Sequence, residues 1–173
     1  MFNYLKDLGL TIPHVISVGR LDFLSEGLLI ITNDGEIAQA LEMPHYATER
    51  QYRVRVFGRM FDENILRKLR EGVVMNGKQY GPYRVEIENR QNTNTWLNMK
   101  LYEGKNNEIR RVMRKFSLRV NRLQRIRYGP YSVGECGDPG SLREVPIHPQ
   151  IKHIMMQYYR DRAKRASAMI EDV

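Results

Sequence analysis

A chain of 173 residues with a hydrophobic fraction of 42% has the size and apolar content of one globular domain with its own core. Its 28 Lys and Arg against 20 Asp and Glu give a formal charge of +8, which favours polyanionic partners, nucleic acid ahead of an anionic membrane surface. A single cysteine, Cys136, excludes an internal disulfide and a cysteine-cluster zinc site, and the apolar runs are too short to cross a bilayer.

In chain order, residues 14–18 and 27–32 read as strands framing Gly19-Arg20-Leu21-Asp22. This framing places one carboxylate in a loop beside a potential cleft, with Arg20 next to it suited to an anionic partner. An aspartate in a turn commonly accepts a backbone hydrogen bond and does no chemistry, so the triplet alone decides nothing. Asp34 is placed to cap a helix through Glu36, Ala38 and Leu41 that Met43-Pro44 interrupts. Residues 50–57 alternate Tyr52, Val54 and Val56 with Arg53 and Arg55, the period of a strand with one buried face. Residues 61–70 carry Ile65, Leu66 and Leu69 at helical spacing, with Gly72 as the stop. Residues 73–88, broken at Asn76-Gly77 and Gly81-Pro82, and residues 95–102 read as strands of an antiparallel sheet.

Asn106 or Asn107 is placed to start a helix whose apolar stripe is Ile109, Val112, Met113 and Phe116, leaving Arg110, Arg111, Arg114 and Lys115 elsewhere. Residues 118–128 read as a strand that ends at Gly129-Pro130. A final helix from about Gln150 buries Ile151, Ile154, Met155 and Tyr158, and its far end, residues 160–165, is basic. The expected fold is α+β, a largely antiparallel mixed sheet flanked by helices, forming one domain over residues 1–173 with a helical extension from about residue 150. His14, His45, His148 and His153 lack the short spacing of metal motifs, so no metal is expected, and Cys136 is expected to pack.

Four separated segments carry a resemblance to ribosomal RNA pseudouridine synthases of the RsuA/RluB type, closest to the RluB-like branch. Gly19-Arg20-Leu21-Asp22, continuing through Ser25-Glu26-Gly27-Leu28-Leu29 and Thr32-Asn33-Asp34-Gly35, resembles that family's catalytic aspartate segment. Glu49-Arg50-Gln51-Tyr52 resembles the strand that supplies its active-site tyrosine. Glu103-Gly104-Lys105-Asn106-Asn107-Glu108-Ile109-Arg110-Arg111 resembles the motif of its arginine, and Arg127-Tyr128-Gly129-Pro130 a fourth segment.

The resemblance implies the pseudouridine synthase catalytic fold and isomerisation of uridine to pseudouridine in ribosomal RNA, of the large subunit by the RluB-like likeness, without a cofactor. It implies Asp22 as nucleophile, Tyr52 stacking on the base with proton movement as a second role open to it, and Arg110 paired to Asp22. Asp22 could add to the sugar or assist removal of a sugar proton; the sequence leaves both routes open. An arginine beside a carboxylate favours its charged form, against the desolvation of both groups.

Arg53, Arg55, Lys105, Arg111 and Arg114 are candidate phosphate contacts, as are Arg20, Arg122, Arg125 and Arg127, although each one alone is equally suited to a solvated surface. Family members carry a small RNA-binding domain and a Lys-Pro-containing strand ahead of the aspartate segment. Met1-Phe2-Asn3-Tyr4-Leu5 matches a point inside the usual catalytic domain. The expectation is therefore a fold lacking that domain and its first strand, as a fragment, through a misassigned start, or as a shortened form that relies on protein partners. The other reading is a catalytically inactive ribosome-assembly or ribosome-bound RNA-binding protein. The resemblance suits the bacterial cytoplasm, with a mitochondrial or other organelle matrix as the alternative.

Overall fold

A computed structural model describes residues 14–58 and 61–171, and all that follows concerns these residues; the segment from Met1 to Leu5 lies outside them. Strand β1 (Ile16–Val18) pairs antiparallel with β3 (Ile30–Thr32). The apolar run of residues 27–32, expected as one strand, is divided: β2 (Glu26–Gly27) instead lies parallel to β9 (Leu118–Tyr128). Gly27 explains the division. Its φ is +109°, and a Cβ there would stand 2.2 Å from the Arg125 carbonyl oxygen, so only glycine lets the backbone lie this close to β9.

Helix α1 (Gly35–Glu42) begins as expected, with the Asp34 carboxylate accepting from the N–H groups of Glu36 and Ile37 at 2.9 and 3.0 Å. Pro44 stops it and opens a 3-10 turn over Pro44–Tyr46. Strand β4 (Arg50–Gly58) is then held on both edges, by β8 (Asn94–Leu101) and by β9, in a sheet ordered β10-β9-β4-β8-β7, with β7 at Arg84–Gln91 and β10 at Tyr131–Ser132. The alternation read from the sequence holds, since Val54 and Val56 are fully buried and the intervening arginines face the other way.

Helices α2 (Glu63–Glu71) and α3 (Glu108–Lys115) cover the apolar face of the sheet. In α2, Ile65, Leu66 and Leu69 are buried, Asp62 caps the start, and Gly72 at φ +97° ends it. Strands β5 (Val73–Met75) and β6 (Lys78–Tyr80) form a hairpin of their own, apart from the large sheet that residues 73–88 were expected to join as a whole. The Asn76-Gly77 turn, with both residues at positive φ, closes that hairpin before β7 begins.

Helix α3 starts at one of the two expected positions but is not capped by the side chain there. Asn107 sits at its start at φ +50°, yet its side chain makes no capping bond; the Glu108 carboxyl reaches back to accept from the Lys105 N–H at 2.9 Å.

Helix α4 (Pro149–Glu171) buries Ile151, Ile154, Met155 and Tyr158 in a second apolar cluster with Leu41 of α1, Leu28 and Tyr128. Such burial is worth about 1.5–3 kcal/mol per large aliphatic side chain. Cys136 packs half-buried against this cluster. The architecture is the expected α+β arrangement of a mixed sheet with flanking helices. Among the described residues no helix is long and apolar enough to cross a membrane.

Candidate active site

Asp22 sits in a loop that is fixed by hydrogen bonds to its backbone. The Ser25 N–H donates to the Asp22 carbonyl at 2.8 Å, closing a tight turn. From β9, Arg125 donates through Nε to the Leu28 carbonyl at 2.8 Å and through Nη1 to the Arg20 carbonyl at 3.4 Å, and the Leu28 N–H returns a bond to the Arg125 carbonyl. From α3, Arg110 donates through Nη2 to the Leu24 carbonyl at 2.5 Å and through Nη1 to the Val120 carbonyl at 2.9 Å. Two guanidinium groups thus clamp the loop at both ends and in the middle.

The loop borders a cavity of about 560 Å3, within the range of ligand pockets. Asp22 and Tyr52 both line it, as do Arg20, Lys105, Arg125 and Tyr128. The Asp22 side chain has no hydrogen-bond or ion-pair partner among the described residues, while the carboxylates capping α1 and α2 are both engaged. Tyr52 is half-buried on the same sheet face as Val54, packed against the core cluster and bordering the cavity.

Beneath the cavity, Tyr128 and Arg50 form a buried polar cluster. Arg50 Nη2 donates to the Tyr128 hydroxyl at 3.0 Å, and that hydroxyl donates to the Leu41 carbonyl at 3.0 Å. The Arg50 and Arg125 guanidinium carbons each lie 5.0 Å from the Tyr128 ring centre. Burial raises the Tyr128 pKa while the two arginines oppose it, which keeps the phenol neutral.

The opposite wall is the segment between β8 and α3. Glu108, 4% exposed, accepts from the Tyr83 hydroxyl at 2.7 Å and from the Lys105 N–H. Burial pushes its carboxyl up to about 7, with the neighbouring Glu103 carboxylate adding to the rise. Glu103 is held low in spite of burial, by hydrogen bonds from Glu108, from the Lys105 ammonium and from the Gly81 N–H. Below about pH 7 Glu108 holds a proton that it donates towards Glu103, which links the two carboxyl groups that shape this wall.

A family model described as RNA pseudouridylate synthase matches residues 2–115. An uncharacterized RNA pseudouridine synthase of Rickettsia prowazekii is 42% identical over 146 residues, which cover 84% of this chain and 60% of the relative. The chain belongs to the RNA pseudouridylate synthase family. Ribosomal large subunit pseudouridine synthase B of Salmonella typhimurium is 42% identical over 132 residues, 76% of this chain and 45% of the relative. A crystal structure of a pseudouridylate synthase shares the fold with a TM-score of 0.71 at 24% identity, covering 81% of this chain and 59% of that one. The chain thus spans between 54% and 60% of the length of its five Rickettsia relatives.

In this member of the RNA pseudouridylate synthase family, the structure brings together two of the three residues expected at the chemical centre. Asp22 and Tyr52 share the cavity; Arg110 is not among its lining residues and forms no ion pair with Asp22 within 4.0 Å. The expected pairing is corrected by the geometry, because the guanidinium is spent on the Leu24 and Val120 carbonyls.

The candidate phosphate contacts divide. Arg125 is 2% exposed and tied to backbone carbonyls, so it is no phosphate contact on the outer surface and reaches only the cavity wall. Arg53 is paired with Glu88, Arg122 with Glu26, and Lys105 with Glu103, so each offers a partly neutralised charge. Arg55 is half-buried near the Trp96 ring with an unpartnered Nε. Arg20, Arg111, Arg114 and Arg127 are exposed, with Arg20 on the cavity rim.

Sequence reasoning missed Arg50, Tyr128 as a site residue, and the Glu103–Glu108 pair. Arg50 falling in the period-two register of Tyr52, Val54 and Val56, and a glutamate followed directly by the apolar Ile109, were the available signals.

Proposed function

We propose that this chain isomerises uridine to pseudouridine in ribosomal RNA of the large subunit, with Asp22 as the reacting carboxylate. The observation that carries the reading is a carboxylate with no protein partner, held by a clamped loop at the edge of a nucleoside-sized cavity whose wall includes Tyr52. The names of relatives at 37–42% identity, ribosomal large subunit pseudouridine synthase B, support the choice of substrate.

The reaction breaks the bond from uracil N1 to ribose C1′, turns the detached base, and joins C5 to C1′; a proton leaves C5 and one is gained at N1, so the product is an isomer. The base must stay enclosed while it turns, which a walled cavity provides. Asp22 acts either by adding to the sugar or by assisting loss of a sugar proton. The Tyr52 ring offers a face on which the everted uracil stacks, in place of the neighbouring bases it leaves in the RNA. Arg20, at the rim, and the exposed Arg127, Arg111 and Arg114 supply positive charge for the phosphate backbone.

The test is pseudouridine mapping on large-subunit ribosomal RNA from cells lacking the endogenous enzyme, with and without added chain. The expected result is a new pseudouridine at one position. RNA binding without any new pseudouridine would instead assign the chain to ribosome assembly or RNA binding alone.

A further inference from the structure

The loop that carries Asp22 also carries the two most exposed large apolar side chains among the described residues, Phe23 at 100% and Leu24 at 70%. Full exposure of a phenylalanine is unfavourable in water, and a slack loop would fold it onto the protein. Here that relaxation is blocked. The turn from Asp22 to Ser25, the Arg110 bond to the Leu24 carbonyl, and the Arg125 bonds on either side fix the backbone that presents Phe23. Its Cα is one peptide unit, about 3.8 Å, from that of Asp22, which lines the cavity, so Phe23 flanks the cavity without forming its wall.

The surroundings define the partner. Arg20, exposed on the same loop and lining the cavity, places positive charge next to an exposed aromatic side chain in sequence, a combination that suits a stacked, polyanionic strand. A base drawn into the cavity leaves a gap in its own stack, and apolar side chains inserted between base steps fill such gaps.

We propose that Phe23 is an RNA-positioning residue: it enters the stack beside the target uridine, with Leu24 packed next to it, and keeps the uridine from returning. The inference rests on the proposed pseudouridine synthase activity. Phe23 touches the neighbouring base and acts on the reaction by holding the everted state; it takes no part in the chemistry at Asp22.

The test uses RNA hairpins built around the uridine that the wild-type chain modifies. One hairpin has this uridine stacked and the other has it bulged out, each with 2-aminopurine as the 3′ neighbour. Phe23→Ala is expected to slow single-turnover isomerisation about tenfold on the stacked hairpin and less than about threefold on the bulged one, where eversion is already done. Phe23→Trp is expected to restore the rate, and the 2-aminopurine fluorescence change on binding is expected to vanish with Phe23→Ala.

Equal rates for wild type and Phe23→Ala, or equal slowing on both hairpins, would overturn the proposal. A change in sedimentation between wild type and Phe23→Ala without RNA would assign the side chain to a protein contact and overturn it too. Wild type that makes no pseudouridine anywhere would instead refute the functional reading itself, and this inference with it.

Discussion

Arg110 and Leu24 are joined by a hydrogen bond of 2.5 Å from guanidinium Nη2 to backbone carbonyl, which ties helix α3 to the turn two residues beyond Asp22. A charge that sequence resemblance would assign to the carboxylate itself is used one step away, to hold the carboxylate's backbone. Nη1 is likewise engaged, with the Val120 carbonyl, so both terminal nitrogens are bound to backbone.

Arg110→Met is therefore expected to lower kcat by about 10- to 100-fold through misplacement of Asp22, with RNA affinity nearly unchanged. Hydrogen exchange at residues 22–28 should accelerate in the same variant. A loss of affinity with kcat preserved would make Arg110 a phosphate contact and contradict this role.

Arg125 and Arg127 are two residues apart on β9 and are expected to behave oppositely. Arg125→Ala leaves two loop carbonyls without a donor and should cost about 2–4 kcal/mol in denaturant unfolding. Arg127→Ala, at an exposed position, should leave stability unchanged and reduce the salt dependence of RNA binding by roughly one counterion.

The contrast shows what was legible in the sequence. Period-two alternation identified β4 and its buried valines, and helical spacing identified α2, α3 and α4, because local geometry alone decides which residues share a face. Asp22 and Tyr52 were legible as the two residues that share the cavity through the motif resemblance, Asp22 also through its loop position, whereas the strand pattern alone suited Tyr52 to the core. The fates of Arg110 and Arg125 were not. Both depend on which carbonyls a neighbouring segment brings within reach, at separations of 86 residues for Leu24 and 97 for Leu28. The break of the strand at Gly27 has the same origin, the close approach of β9, which no local pattern encodes.

Gly27→Ala tests that approach. The added Cβ would meet Arg125 backbone atoms at 2.2–2.9 Å and would also sit at φ +109°, so a loss of about 2–4 kcal/mol is expected, with β2 released from β9. Thermal unfolding and amide exchange at Leu28 report both effects. Wild-type stability in this variant would mean that the loop is free to shift.

Glu108 sets a pH dependence. Unfolded, its carboxyl ionises near its ordinary value of 4.5; folded, near 7, because burial disfavours the charge. Between these values the folded state keeps a proton that the unfolded state has lost, so stability falls as pH rises through this window and the loss is complete above about 7. Glu108→Gln keeps an acceptor for the Lys105 N–H without the charge. It should be more stable than wild type by about 1–3 kcal/mol at pH 8 and gain little at pH 4. A constant difference at both pH values would contradict this account.

The central claim is that the Asp22 carboxylate performs the isomerisation, and tritium release from RNA labelled at uridine C5 measures it directly, because the C5 hydrogen leaves as pseudouridine forms. Wild type should release tritium in proportion to pseudouridine made, while Asp22→Asn, folded and binding RNA as wild type does, should release at least about a thousandfold less. Release by Asp22→Asn at the wild-type rate would contradict the claim.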